Sequence, residues 1–474
     1  MKHPEWWATV LLFLFLMGIG MSVNTTGDNG DSVMHYLFSH YSFSHPENFL
    51  DHWAKPLFVL LSSPFAYFGF KGMIIFNVLC TSLTALFTYY IARNLQLRSA
   101  LLIFPFFLGA PLFFQLIFSG LTEYLFALIT VIGIYLIQKD KLISAIILIS
   151  FLPMVRSEGL IVIGVFGIYL LLEKHLKLMI LLLTGQLTYT LIGAIYHQDL
   201  LWVMNDIPYT NVGSPYGHGG PFDFIFKLMF VIEKPIMLLL TLGISYGVYQ
   251  LVVMRDYNKN KIKYILISGT FFAILSSHSL FWYLGIFNSM GLPRVLIVIV
   301  PLAIIISLES IEIVYKKIKQ PKYIKIVLVS LSLLVLGFPF IPKNNGLVYD
   351  QYMFNVVDHD LIEKEVTPYV KETLPNYKEH VLYFSHPYLS CALEVDYFDH
   401  NKHMEMQHVL EMDLNPGTLI IWDNWFSISD GGIQLEQLLN HPHFKMRATF
   451  HRISSDEQFK FVIFEVIEKG SENI

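Results

Sequence analysis

Apolar residues run almost unbroken for 18 or more positions, again and again, over the first 340 residues of the chain. A helix of that length crosses about 30 Å of hydrocarbon. In lipid every backbone N–H and C=O must find its partner inside the protein, so these runs predict helices and not an open sheet. The predicted spans are 6–23, 71–93, 99–118, 120–138, 141–154, 159–173, 176–196, 232–253, 263–284, 292–315 and 323–341. The fifth and sixth are short and meet at a polar junction. The first follows Lys2 and His3 and shows no small-x-small cleavage signature, so it reads as a retained signal anchor. From about Lys343 the pattern changes to mixed polar with short apolar runs. Strands are expected at 381–385, 418–423, 446–451 and 460–466, and helices at 350–374 and 434–439. The expected fold class is an α-helical multi-pass membrane protein of about eleven helices, residues 1–342, with a small C-terminal α/β domain, residues 343–474. Those last 132 residues suffice for one compact domain.

Lysine and arginine then orient the chain. With a cytoplasmic N-terminus, sixteen basic residues fall on the cytoplasmic side and six on the other before the tail. The six are Lys55, Lys71, Arg156, Lys227, Lys234 and Arg294. Segments 24–70, 154–159, 197–231 and 285–292, and the tail from about Pro342, therefore face outward. Within the first of these, Leu57–Phe70 is interrupted by Pro64 and reads as an amphipathic helix lying in the interface. The expected location is the plasma (inner) membrane, N-terminus in and C-terminal domain out.

Composition agrees and narrows the function. The chain is 54% hydrophobic and 15% charged, against roughly 25% charged in soluble domains. A net charge of −5 leaves no nucleic-acid footprint. Cys80 and Cys391 lie far apart and imply neither a disulfide framework nor a thiolate metal site.

Candidate chemistry collects in the outward segments. Loop 24–56 contains N-T-T-G-D-N-G-D-S-V-M-H-Y and S-H-P-E-N-F-L-D-H-W-A-K-P-L-F, which supply Asp28, Asp31, Glu47, Asp51, His35, His45, His52 and Lys55. Later junctions add Glu123 (S-G-L-T-E-Y), Arg156 with Glu158 (V-R-S-E-G) and Arg294 (N-S-M-G-L-P-R). Loop 197–231 adds W-V-M-N-D-I-P-Y and S-P-Y-G-H-G-G-P. Ionisable groups at membrane depth are costly and usually mark a pathway or a site. Each also has a structural reading. Asp31 would cap a helix well, Glu123 complements a helix dipole, and Arg156 with Glu158 forms a local pair. Arg294, at a helix start where the dipole disfavours a cation, calls for an anionic partner. The histidines of these loops show neither H-x-x-H nor H-E-x-x-H spacing, so no dedicated zinc site is expected. The tail has no phosphate-cradling glycine loop and no nucleophile elbow; it reads as a rigid cap, with acceptor binding as the other reading.

Taken in order, these segments resemble the GT-C class of integral membrane glycosyltransferases. The likeness is to bacterial relatives of dolichyl-phosphate-mannose protein mannosyltransferases and of lipid A aminoarabinose transferase. The matching pieces over roughly 1–342 are the acidic loop G-D-N-G-D-S, then D-H-W-A-K-P-L-F for a Lys-Pro-Pro-Leu stretch, then S-G-L-T-E. V-R-S-E-G follows for an Arg-Pro-Glu-Gly element, and G-L-P-R-V-L-I-V-I-V-P-L for a Gly-x-x-Arg-Tyr-Leu helix. Trp53-Ala54 interrupts the basic-proline segment, and the family's Asp-Glu pair reads Asp31-Ser32. The resemblance implies transfer of a sugar from a polyprenyl-phosphate carrier to a lipid, glycan or protein acceptor at the outer face, with inversion. An acceptor that loses a proton needs a carboxylate base, and a phosphate leaving group needs fixed cations. Asp31 is the expected base and Arg294 the expected phosphate holder. Arg156 and Lys55 are further candidates for the phosphate, and Asp51, Glu123, Glu158, Asp28 and His52 for orienting the substrate. No metal is expected to be obligatory, although the acidic loop leaves a divalent cation possible. Two rivals share the compartment. A transporter or flippase of lipid-linked saccharides would show internal repeats and mid-helix charges. A polymerase or ligase would carry its main outer loop late in the chain, whereas here the most acidic loop follows the first helix.

Overall fold

The computed structural model describes residues 3–205, 217–318, 320–343, 346–454 and 457–468; the middle of the loop 197–231, with its D-I-P-Y and S-P-Y pieces, lies outside them. The chain divides into two compact units. One comprises Met1–Asn24 with Pro46–Phe354, and the other Thr25–His45 with Asn355–Ile474.

The first unit is the multi-pass membrane part. Pro4–Ser22, Phe70–Asn94, Leu176–His197, Ile262–Leu284, Pro293–Lys317 and Pro321–Phe340 are long and apolar enough to cross a membrane. Pro56–Ala66, Glu123–Gln138, Leu142–Met154 and Gly159–Leu172 are shorter apolar helices. Phe70–Asn94 and Pro293–Lys317 bury most of their residues and form the centre. Pro4–Ser22, Leu176–His197 and Pro321–Phe340 bury few, as helices that face lipid do.

Two spans differ from expectation, each for a backbone reason. The span expected at 99–118 is broken between Ile103–Leu108 and Pro111–Leu116. Pro111 has no N–H to continue the ladder, and Ala110 before it is pushed out of the helical region, to φ −96° and ψ 99°. The span expected to begin at 232 is part of a longer helix, Asp223–Val252, kinked at Glu233 where φ is 66°. Pro235 follows two residues later, and the buried Glu233 carboxylate pairs with Lys343.

In the second unit, β1 (Leu382–Tyr383), β2 (His403–Met404), β3 (Leu419–Asp423), β4 (Phe444–Ser454) and β5 (Glu457–Val466) form one sheet in the order β2-β1-β3-β5-β4. β1 runs parallel to β2 and β3, whereas β5 is antiparallel to both β3 and β4. All of β3 is buried, because both faces of the sheet are covered. Alternate residues serve two cores: Leu419, Ile421, Phe461 and Ile463 pack on one face, Ile420, Trp422, Val462 and Phe464 on the other. The first core takes Leu361, Ile362, Val366 and Val370 from a helical stretch that begins at Val357, later than the expected 350.

The acidic segment after the first helix was expected to belong, as part of 24–56, with the membrane part. Its residues Thr25–His45 instead pack with the C-terminal residues. Asp31–Tyr41 is helical; the Phe38 ring lies 4.8 Å from that of Phe398, and His45 Nε2 lies 3.0 Å from an Asp396 oxygen. Only Pro46 onward packs with the membrane helices.

Candidate active site

A polar cluster in the membrane unit is assembled from segments far apart in sequence. Its floor is a helix break. Asn77, buried in Phe70–Asn94, donates from Nδ2 to the carbonyls of Ser119 (2.7 Å) and Leu121 (3.1 Å). These would otherwise be unsatisfied carbonyls ahead of a helix, and their anchoring fixes where Glu123–Gln138 begins. Glu123 opens that helix and is wholly buried. Arg156, in the polar junction before Gly159–Leu172, binds three groups at once: Glu123 Oε1 at 2.9 Å, Glu158 Oε1 at 2.8 Å and Thr122 Oγ1 at 3.0 Å. The expected Arg156–Glu158 pair is therefore present, and the expected dipole residue Glu123 joins it.

More cations surround this core. Lys55 donates from Nζ to Ser157 Oγ at 3.1 Å, in the same junction. Its φ is 71°, a costly conformation for a non-glycine residue, and Pro56 follows at the start of a helix. The turn is tied by Asp51, whose carboxylate accepts from the Ala54 N–H at 2.7 Å. Arg294, half-buried in the turn that opens Pro293–Lys317, is near enough to repel the Arg156 guanidinium.

Opposing effects set the charges. Burial disfavours charge on Arg156, but Glu123 and Glu158 outweigh it and hold the guanidinium above its usual value. Burial alone would raise the Glu158 carboxyl, yet Arg156 and His278 keep it well below the usual carboxylate range. Burial brings Lys55 down to about 8, although Glu158 and Asp51 pull the other way.

The expected site residues thus sort into three groups. Glu123, Arg156, Glu158, Lys55 and Arg294 converge. Asp51 and His52 serve the local fold: the His52 ring packs 4.9 Å from Trp202 and 5.3 Å from Tyr189, and the Tyr189 hydroxyl donates to the Leu50 carbonyl at 2.6 Å. Asp28 and Asp31 belong to the other unit. Asp28 accepts from the N–H groups of Gly30 (3.2 Å) and Ser32 (2.9 Å), so it, and not Asp31, supplies the capping carboxylate of Asp31–Tyr41. Asp31 is the first residue of that helix and faces Asp430 electrostatically.

Two residues of the cluster were not anticipated. His278 Nε2 lies 3.5 Å from Glu158 Oε1, with its ring stacked on Phe224. Its signal was S-S-H-S in an otherwise apolar span. Lys227 sits over the rings of Phe224 and Trp282, 4.6 Å from each centroid. A side chain at Gly291 would come within 2.8 Å of its Nζ, so it borders the turn that carries Arg294.

No family model matches the sequence, and no curated protein matches it. Solved structures do match in fold. ArnT from Cupriavidus metallidurans bound to undecaprenyl phosphate superposes with a TM-score of 0.61 at 12% identity, covering 98% of both chains. The apo state of the same protein gives 0.60 at 10% identity, over 96% of this chain and 97% of the other. Over nearly its whole length the chain has the fold of ArnT, a lipid A aminoarabinose transferase of the GT-C class.

Proposed function

We propose that the protein is a membrane glycosyltransferase, moving a sugar from a polyprenyl-phosphate carrier to an acceptor at the extracytoplasmic face of the inner membrane. The observation that carries this reading is the meeting of Arg156, Lys55 and Arg294 beside Glu123 and Glu158. It occurs in a fold shared with a protein solved bound to undecaprenyl phosphate. The N-terminus is cytoplasmic and the C-terminal unit outside, which agrees with the bias of lysine and arginine along the loops.

The chemistry follows from the charges. The acceptor oxygen or nitrogen attacks the anomeric carbon while the bond from that carbon to the phosphate oxygen breaks, inverting the centre. The acceptor proton passes to Asp31 as general base. The leaving group is a polyprenyl phosphate, whose growing charge Arg294 neutralises with Lys55 and Arg156. Glu123 and Glu158 hold Arg156 so that it presents a fixed face, while Asp51 and His52 hold the segment that carries Lys55. Because side-chain cations supply the countercharge, no step requires a metal ion.

The test is incubation of purified full-length protein with a panel of radiolabelled polyprenyl-phosphate sugars. Release of polyprenyl phosphate from one member, undiminished after washing with EDTA, is expected. No release from any member would remove the reading.

A further inference from the structure

The membrane unit also contains a cavity of about 1200 Å³ at the other ends of the helices that gather around Arg156. Asn77, which anchors the turn before Glu123, and Arg93, in the cavity wall, are sixteen residues apart on one helix, about 24 Å along its axis. Glu123–Gln138 likewise runs from Glu123 to Gln138 of the wall, and Pro293–Lys317 from Arg294 to Glu312 and Lys316. With the N-terminus inside, as the bias of lysine and arginine directs, the cavity lies at the cytoplasmic headgroup level.

The wall carries six side-chain cations, Arg93, Arg98, Lys259, Lys261, Lys263 and Lys316, against three carboxylates. Each carboxylate is already taken. Glu309 Oε2 holds Lys263 at 2.7 Å, Glu173 Oε1 holds Lys261 at 2.6 Å, and Glu312 Oε2 holds Arg98 at 3.1 Å. Among the described residues Arg93, Lys259 and Lys316 make no ion pair. The neutral groups are polarised the same way. Gln250 commits its side-chain oxygen to Lys263 at 2.8 Å, and the Tyr246 hydroxyl accepts from Lys316 at 2.6 Å. The Gln250 amide N–H groups and the Tyr246 O–H are left as donors. A cavity with surplus cations, spare donors and occupied carboxylates selects an anion.

We infer that this cavity binds a phosphate ester, presented as the headgroup of an anionic phospholipid of the cytoplasmic leaflet. Basic pockets between membrane helices on that side suit such headgroups. The rim favours a lipid over a soluble phosphate. Leu172, next to Glu173, and Val252 and Val253, just beyond Gln250, are exposed apolar side chains along which acyl chains can lie. The wall segment Ile262–Gly269 is wound as a π-helix, a rare form that recurs at functional sites. By neutralising Arg93, Lys259 and Lys316, the lipid removes repulsion among the segments that carry them. The inference is independent of the proposed transfer and rests on the cytoplasmic placement of the N-terminus.

The test is native mass spectrometry of the full-length protein, delipidated in detergent and titrated with dioleoyl phosphatidylglycerol or dioleoyl phosphatidylcholine, with inorganic phosphate as competitor. Wild type is expected to take up about one phosphatidylglycerol per chain tightly, and phosphatidylcholine about tenfold more weakly. The triple variant Arg93→Gln, Lys259→Gln, Lys316→Gln should bind phosphatidylglycerol on the order of 100-fold more weakly. Arg93→Lys with Lys259→Arg and Lys316→Arg, which keeps the charges, should retain it. So should Lys174→Gln with Lys177→Gln and Lys322→Gln, cations outside the cavity wall. Equal affinity of wild type for the two lipids overturns the inference, whether or not the variants fold. An equal loss in the two glutamine triples also overturns it, by assigning binding to general surface charge. Displacement of the lipid by an equal concentration of inorganic phosphate overturns the lipid as occupant.

Discussion

The two units treat charge in opposite ways. In the membrane unit, cations are collected around a pair of buried carboxylates: Arg156 is shared by Glu123 and Glu158, with Lys55, Arg294 and Lys227 nearby. In the C-terminal unit, Asp28, Asp31, Asp358 and Asp430 gather with histidines, and the acidic segment Thr25–His45 after the first helix is folded into that unit. A phosphate calls for the first environment and a proton acceptor for the second. In the proposed mechanism, binding and proton transfer fall to different parts of the chain. They should therefore fail separately when mutated.

The largest effect is expected at Arg156. Arg156→Ala leaves wholly buried Glu123 without its counter-ion, which costs about 3–5 kcal/mol of stability. Thermal unfolding of the purified variant should show the loss, and adding Glu123→Gln should recover most of the stability but not the transfer. Next is Asp31→Asn, expected to slow transfer by about 10²- to 10⁴-fold. Donor affinity in that variant should stay near wild type, as measured by equilibrium binding. A variant that loses affinity and keeps its rate would reverse the roles given to the two units. Lys55 gives a smaller, pH-dependent effect. It is charged below about 8 and neutral above, so transfer should fall as pH rises through about 8. In Lys55→Arg, whose charge persists, a pH–rate profile should show that limb displaced upward. The smallest effect is expected for His278→Gln. It removes one contact to Glu158 at 3.5 Å and should change the rate only a few-fold.

Much of the membrane part was legible because its signal is local. A run of apolar residues reports its own length, and the break at Ala110-Pro111 follows from proline chemistry. V-R-S-E-G likewise announced a pair two residues apart, which the structure contains. What local pattern could not carry is which segments meet. Glu123 joins Arg156 only because Asn77 anchors the preceding turn from another helix. The grouping of Thr25–His45 with the tail depends on contacts such as Phe38 with Phe398, which leave no periodic trace. His278 was passed over as one polar residue in an apolar span. The buried pair of Asp358 with His386 left no local pattern either, because the fold joins residues 28 apart in sequence.

The central claim is that the cations of the membrane unit hold a lipid-linked phosphate. Equilibrium binding of undecaprenyl phosphate to the full-length protein, wild type against Arg294→Ala, addresses it directly. Loss of one charge-assisted contact, worth about 1.5–3 kcal/mol, predicts affinity lower by roughly 10- to 150-fold. Equal affinity in the two proteins would contradict the claim.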